Sequence, residues 1–420
     1  MDEFSGNELD IALTALGGLV LILGLLSGFL KERLLLSDPL VAVCIGILLG
    51  PSGLHLLDLG HWGNPQSILE QGARLAIAIQ LMGVALRLPK GYLLRHWKAQ
   101  AVLLGLVMPL SCVASAVLVY FILGLPLWVA LLVGAIVTPT DPVVATAIVT
   151  GKVAERNLPD RLRHTLSAES AANDGLAYPL VFLPILLLTR SPGEALGQWF
   201  GEILLWEVGA TVILGAVCGY LAGRLLLRAE RQHTIDKPSF LAYTLALSLF
   251  VLGGIKLLNG DGILAVFVAG STFSLVVSGS ERSQEERVQE AVDRFFTLYV
   301  FVLFGLGLPW REWFDLGWSG AIAIGALLLL RRLPVLFLLK SCFPHSLQRN
   351  GDLLFMGWFG PMGVAAIFYA MLAIRETQTE SIWAIVSAVV CASIVVHGIS
   401  AIPGAKRYGQ LHSPQVPPTE

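Results

Sequence analysis

The sequence predicts an all-α polytopic membrane protein, on three observations. Hydrophobic residues make up 55% of the 420 and charged residues 14%, with a mean hydropathy of +0.74, whereas soluble domains carry roughly 25% charge. About thirteen stretches are apolar over the ~20 residues that a helix needs to cross hydrocarbon. Lys and Arg gather in every second turn between those stretches. This pattern excludes a soluble globule and a disordered chain. A net charge of −2 provides no basic surface for nucleic acid, and no Walker motif points to a nucleotide. The five Cys lie in apolar runs without metal-ligand spacing. They read as small buried apolar residues, not as disulfides or ligands, and no cofactor is expected.

In order, the predicted spans are residues 9–30, 38–57, 66–86, 99–123, 126–150, 164–189, 198–223, 239–258, 261–279, 288–308, 317–341, 350–373 and 381–403. With the acidic N-terminus (Asp2, Glu3, Glu8, Asp10) outside, the turns after odd-numbered spans and the tail hold 21 of the 28 Lys and Arg. The opposite turns hold Arg190, Arg311 and Arg375 alone. That asymmetry predicts an odd number of crossings, N-out/C-in. No basic n-region precedes span one, so that span is expected to remain. Residues 1–404 read as one transmembrane unit, and 405–420 (AKRYGQLHSPQVPPTE) as a short, disordered cytoplasmic tail.

Polar groups at membrane depth mark the functional region. Span five contains Thr138-Pro139-Thr140-Asp141-Pro142. Pro139 and Pro142 remove two backbone donors, so the helix must break and expose carbonyl, hydroxyl and carboxylate oxygens. Irregular backbone at that depth has to be buried in protein or line a cavity. Oxygen donors of this kind suit a hard monovalent cation. Span six contains Glu169, Ser170, Asn173 and Asp174 in ESAANDG. Glu169 and Asn173 share a helix face, and Asp174 sits about 100° further round and roughly 15 Å into the bilayer. A carboxylate there is suited to proton exchange. Span eleven carries Arg331-Arg332, which need an acidic partner, Glu169 or Asp141; Arg331 is expected to face the core. Span twelve breaks at Gly360-Pro361. Interrupted spans five and twelve lie seven apart, as an inverted repeat of spans 1–6 and 8–13 would place them, which points to a transporter's substrate site.

TPTDP followed by ES-x-x-ND-G resembles the monovalent cation/proton antiporter superfamily, in its sodium/proton exchanger (NhaP-like) branch, over roughly residues 10–404. The resemblance implies a transporter and not an enzyme: a homodimer in the lipid bilayer that exchanges Na⁺, or Li⁺ or K⁺, for H⁺. It implies a core of residues 99–189 and 317–403 moving in an elevator-like step against a scaffold of 9–86 and 239–308, with span 198–223 as linker. Asp174 would bind cation and proton in competition, supported by Asn173. Thr138, Asp141 and Ser170 would shape the cation site, and Glu169 would pair with a span-eleven arginine. The Asn-Asp pair resembles the electroneutral branch. This sequence departs from the pattern in three places. Met362 stands where many relatives have Arg, span three lacks the acid some carry near Gly83, and the long regulatory tail of animal exchangers is absent. Short tails suggest a prokaryotic inner membrane. The rival readings are an inverted-repeat carrier of another solute, a potassium-efflux path, and an intramembrane aspartyl protease using Asp141 and Asp174.

Overall fold

A computed structural model describes residues 6–33, 37–141, 143–144, 146–232, 240–277 and 282–412, and among these the regular structure is entirely helical. Each predicted span carries a helix or a pair of helices. In chain order they are α1 (Gly6–Arg33), α2 (Asp38–Leu49), α3 (Pro65–Arg87), α4 (Trp97–Leu123), α5 (Leu127–Ile136), α6 (Thr146–Val149), α7 (Gly151–Asn157) and α8 (Asp160–Thr189). There follow α9 (Pro192–Arg231), α10 (Phe240–Leu257), α11 (Gly262–Val276), α12 (Arg282–Leu306), α13 (Gly317–Leu330), α14 (Leu333–Leu338), α15 (Asn350–Trp358), α16 (Val364–Thr377) and α17 (Ser381–His412). Eight of the described helices are long and apolar enough to cross a membrane.

Local chemistry sets the helix ends. Pro39 and Pro65 sit in the first turns of α2 and α3, where the missing N–H costs nothing. The side chain of Asn64 accepts from Ser67 N at 2.9 Å to cap α3. Span two is shorter than expected, because the helix stops at Leu49 and residues 51–54 form turns after Gly50-Pro51.

Two unbroken helix pairs pack at close quarters. A Cβ on Gly46 of α2 would lie 2.2 Å from Val302 O of α12, and one on Gly305 would lie 2.4 Å from Val43 O. Small residues let helix backbones touch in this way inside a bilayer, where lipid removes the hydrophobic drive to associate. α9 packs along α11 in the same manner, with Gly219 against Ala269. α3 runs between these pairs, touching α11, α12 and α16.

Two expectations need correction. Residues 405–412, read as a disordered tail, continue α17 to His412; residues 413–420 lie outside the described residues. Ala405 and Tyr408 are buried, Tyr408 packs on Phe355 at 5.3 Å, and its hydroxyl donates to Asp352. This docking outweighs the polar composition of the segment. The five Cys are unpaired as expected, but Cys44 and Cys342 are exposed and only Cys112 is fully buried.

Candidate functional site

The proline breaks of spans five and twelve bring two non-helical segments together, between α5 and α6 and between α15 and α16. The backbone N–H of Asp141 donates to Pro361 O at 2.7 Å. One carboxylate oxygen of Asp141 accepts from Val143 N at 2.7 Å, Val144 N at 3.3 Å and Gln80 Nε2 at 3.5 Å. The other accepts from Val364 N, the first residue of α16, at 2.7 Å. The approach needs glycine at 363, since a Cβ there would lie 2.1 Å from Asp141 Oδ2. Pro139 and Gly360-Pro361 fall in the breaks, and Pro142 lies outside the described residues.

Arg331 holds the opposite ends. Its guanidinium donates to the carbonyls of Val137 and Thr138, just past α5, and to that of Gly360, just past α15. A helix N-terminus carries partial positive charge and a C-terminus partial negative charge. The crossing therefore sets a carboxylate on exposed backbone N–H groups and a guanidinium on exposed carbonyls. These two side chains take up several of the freed backbone groups of both breaks.

A second network ties α8 to the crossing. Arg332 pairs with Glu169 through two bonds of 2.9 Å and donates from Nε to Met356 O at 3.0 Å. Asn173 accepts from Thr140 N at 3.1 Å and donates to Thr140 Oγ1 and Glu169 Oε1, each at 2.8 Å. The Ser170 hydroxyl donates to Thr140 O, and that of Thr138 to Gly134 O at 2.7 Å. Both arginines are buried. Of the two span-eleven arginines, Arg332 is the partner of Glu169, while Arg331 faces the core on backbone carbonyls. The chain leaves the helix at 331–332, ahead of Pro334 in the first turn of α14, and neither arginine reaches solvent.

Asp174 differs from all of these. It is 2% exposed, within electrostatic reach of Asp141 and Glu169, and its Oδ1 has no hydrogen-bond partner among the described residues. Its main-chain carbonyl accepts from Tyr369 OH at 2.6 Å, which fixes the backbone while leaving the side chain uncommitted.

The family model for the transmembrane sodium/hydrogen exchanger matches residues 18–407. The chain belongs to the sodium/hydrogen exchanger family. It is 33% identical to Na(+)/H(+) antiporter 2 of Zygosaccharomyces rouxii and to a Na(+)/H(+) antiporter of Saccharomyces cerevisiae. These matches cover 94% and 95% of this chain but 52% and 44% of theirs, so it spans about half the length of those relatives. Both are fungal proteins, and the likeness does not carry the expectation of a prokaryotic membrane. The fold is similar to that of the sodium proton antiporter MjNhaP1 from Methanocaldococcus jannaschii at pH 8, with a TM-score of 0.77, 18% identity, and 96% of this chain and 99% of that one covered.

The structure shows what surrounds two positions that depart from the exchanger pattern. Beside Gly83 stands an acid of another helix. Asp293 of α12 lies where a side chain at 83 would stand, 2.0 Å from its Cβ, and pairs with Arg87 at 3.0 Å. Met362 is wholly buried among apolar residues, and its N–H donates to Ser393 Oγ at 2.7 Å. Sequence reading named Thr140 within the TPTDP motif but missed Gln80, which donates to Asp141, and Tyr369, which donates to the Asp174 carbonyl. A lone Gln inside RLAIAIQLMG was a usable signal. Tyr369 in an apolar run was a weaker one.

Proposed function

We propose that the chain is a secondary antiporter that exchanges a monovalent cation, Na⁺ before Li⁺ or K⁺, for H⁺ at Asp174. One observation carries this reading. In the buried crossing Glu169 is matched by Arg332, and Asp141 and Arg331 sit on oppositely charged helix ends, which leaves Asp174 as the carboxylate without a counter-charge. An ionised carboxylate buried alone is costly. A single proton or a single monovalent cation cancels its charge, and the two compete for it. That competition yields electroneutral 1:1 exchange. The names of the fungal relatives support Na⁺ as the cargo.

The carboxylates favour a cation over an anionic solute. A protease dyad is disfavoured because Asp141 has both oxygens engaged by four donors. The charge distribution between spans supports the N-out/C-in orientation in a cell membrane. The Asp141–Arg331 crossing makes the core one stiff body, which suits an elevator-like step against the scaffold that contains the glycine-packed α2–α12 pair. A homodimer completes the reading, and the mass of the detergent-solubilised protein checks it.

The test is dissipation of a preformed ΔpH in proteoliposomes by Na⁺, Li⁺ or K⁺, with and without an imposed membrane potential. Voltage-insensitive, cation-dependent dissipation is expected. Its apparent KM should rise as pH falls, because protons compete for the same oxygen atoms. No cation response from folded protein would overturn antiport and favour a carrier of another solute.

A further inference from the structure

Asp261, outside the crossing, shares the unusual state of Asp174. It caps α11, with one carboxylate oxygen accepting from Ile263 N at 3.0 Å and Leu264 N at 3.1 Å. The residue is 2% exposed, yet its Oδ2 has no partner among the described residues. A cap uses one oxygen, and leaving the second buried and unpaired is unfavourable.

The surroundings supply further oxygen atoms. The N–H of Asp261 donates to Glu207 O at 3.0 Å, and the half-buried Glu207 carboxylate accepts from the hydroxyl of Tyr178. Tyr178 stands one turn past Asp174 on α8 and lies within electrostatic reach of both Asp261 and Glu207. The helices touch at this level, since a Cβ on Gly175 would lie 2.8 Å from the Cα of Leu264, one turn into α11. Tyr369, anchored on the Asp174 carbonyl, lies within electrostatic reach of Asp174 and Asp261 alike. Exposed Glu202, Glu376 and Lys256 lie within electrostatic reach of Glu207, and Lys256 also faces Asp261. Carboxylate and phenol oxygen atoms thus run from Asp174 toward the end of the bundle that carries residues 258–261.

We propose that Asp261 and Glu207 form a second binding site for the transported monovalent cation, a staging point between Asp174 and that end of the bundle. The inference rests on the antiport reading. Hard oxygen donors with excess negative charge suit an alkali cation. A cation held there is partly dehydrated before it meets Asp174, and the site serves one face of the membrane only.

Asp261→Asn tests this cleanly, because Asn caps a helix as well as Asp does and removes only the charge. Initial rates of Na⁺-driven ΔpH dissipation would be measured in right-side-out and everted vesicles, with Glu207→Gln alongside. The expected result is an apparent KM for Na⁺ raised about tenfold from one side, the same side in both variants, and unchanged from the other. A KM unchanged on both sides, or raised equally on both, would overturn the staging site. Glu207→Gln reads the same site if Asp261→Asn fails to accumulate in folded form. Wild-type protein without cation-driven exchange would sink the antiport reading itself; wild-type exchange with unaltered variants would sink the second site alone.

Discussion

Asp141 and Asp174 are two aspartates at similar burial in one polar region, and their surroundings are opposite. Around Asp141 every oxygen is committed. Three backbone N–H groups and Gln80 converge on it, and Arg331 balances it across the crossing. Around Asp174 the side chain has an oxygen with no partner, although the neighbouring Asn173 has all its groups bonded. A saturated carboxylate organises backbone and has little left to offer a passing ion. An unsaturated one can exchange a ligand. Under the proposed antiport reading the first serves architecture and the second exchange, and the contrast can be tested in descending order of effect.

The largest effect is expected from Asp174→Asn. An amide cannot carry the exchanged charge, so cation-driven ΔpH dissipation should fall by at least about a hundredfold, roughly 2.7 kcal/mol or more. Thermal stability should hold or rise, because the change removes an unpaired buried charge. Full transport in this variant would refute the comparison at its centre.

Next comes Glu169→Gln, which leaves Arg332 buried without its counter-charge. Breaking such a pair costs about 3–5 kcal/mol, read as a large drop in melting temperature of the solubilised protein. The double variant Glu169→Gln/Arg332→Met should recover much of that loss. Recovery would mark the pair as architecture, like Asp141. A double variant that is stable but inactive would instead give the pair a part in exchange.

The sequence made parts of this legible for identifiable reasons. TPTDP and the Gly-Pro of span twelve announce breaks because proline removes a donor wherever it sits, and Asp174 is conspicuous because charge at that depth is rare. What stayed hidden depends on rotation and approach between distant segments. Residues 331 and 332 are neighbours in sequence, and the choice of Arg332 for Glu169 follows from where the helix is interrupted. Asp293 filling the space over Gly83 joins α12 to α3, and no local pattern encodes that approach. The docking of 405–412 is of the same kind, since Tyr408 finds Asp352 and Phe355 only after the bundle has formed.

Asn173→Asp is expected to come third. The side-chain amide donates to Thr140 Oγ1 and Glu169 Oε1 at 2.8 Å. A carboxylate would lose both donations and face Glu169 as a like charge, so exchange should slow severalfold, about 1 kcal/mol or more. Exchange should stay insensitive to membrane potential, because the new acid lies against Glu169 and Thr140, whereas Asp174 has an oxygen with no partner among the described residues. A potential-driven current in the variant would mean that position 173 is itself an exchange position.

Thr138 carries the smallest expected effect and divides the two regions most finely. Its hydroxyl donates to Gly134 O at 2.7 Å, so the remaining lone pairs present an acceptor surface that a cation can use and an anion cannot. Thr138→Val keeps the shape and removes the oxygen. If Thr138 works with Asp174, the apparent KM for the cation should rise two- to tenfold, about 0.5–1.5 kcal/mol, with the melting temperature unchanged. Thr138→Ser should restore the wild-type KM. If Thr138 belongs with Asp141 as a back-bonded residue that bends α5 into the break, the reverse holds: KM stays and stability shifts. Measuring both quantities on the two variants places the boundary between the saturated crossing and the exchanging site at one side chain.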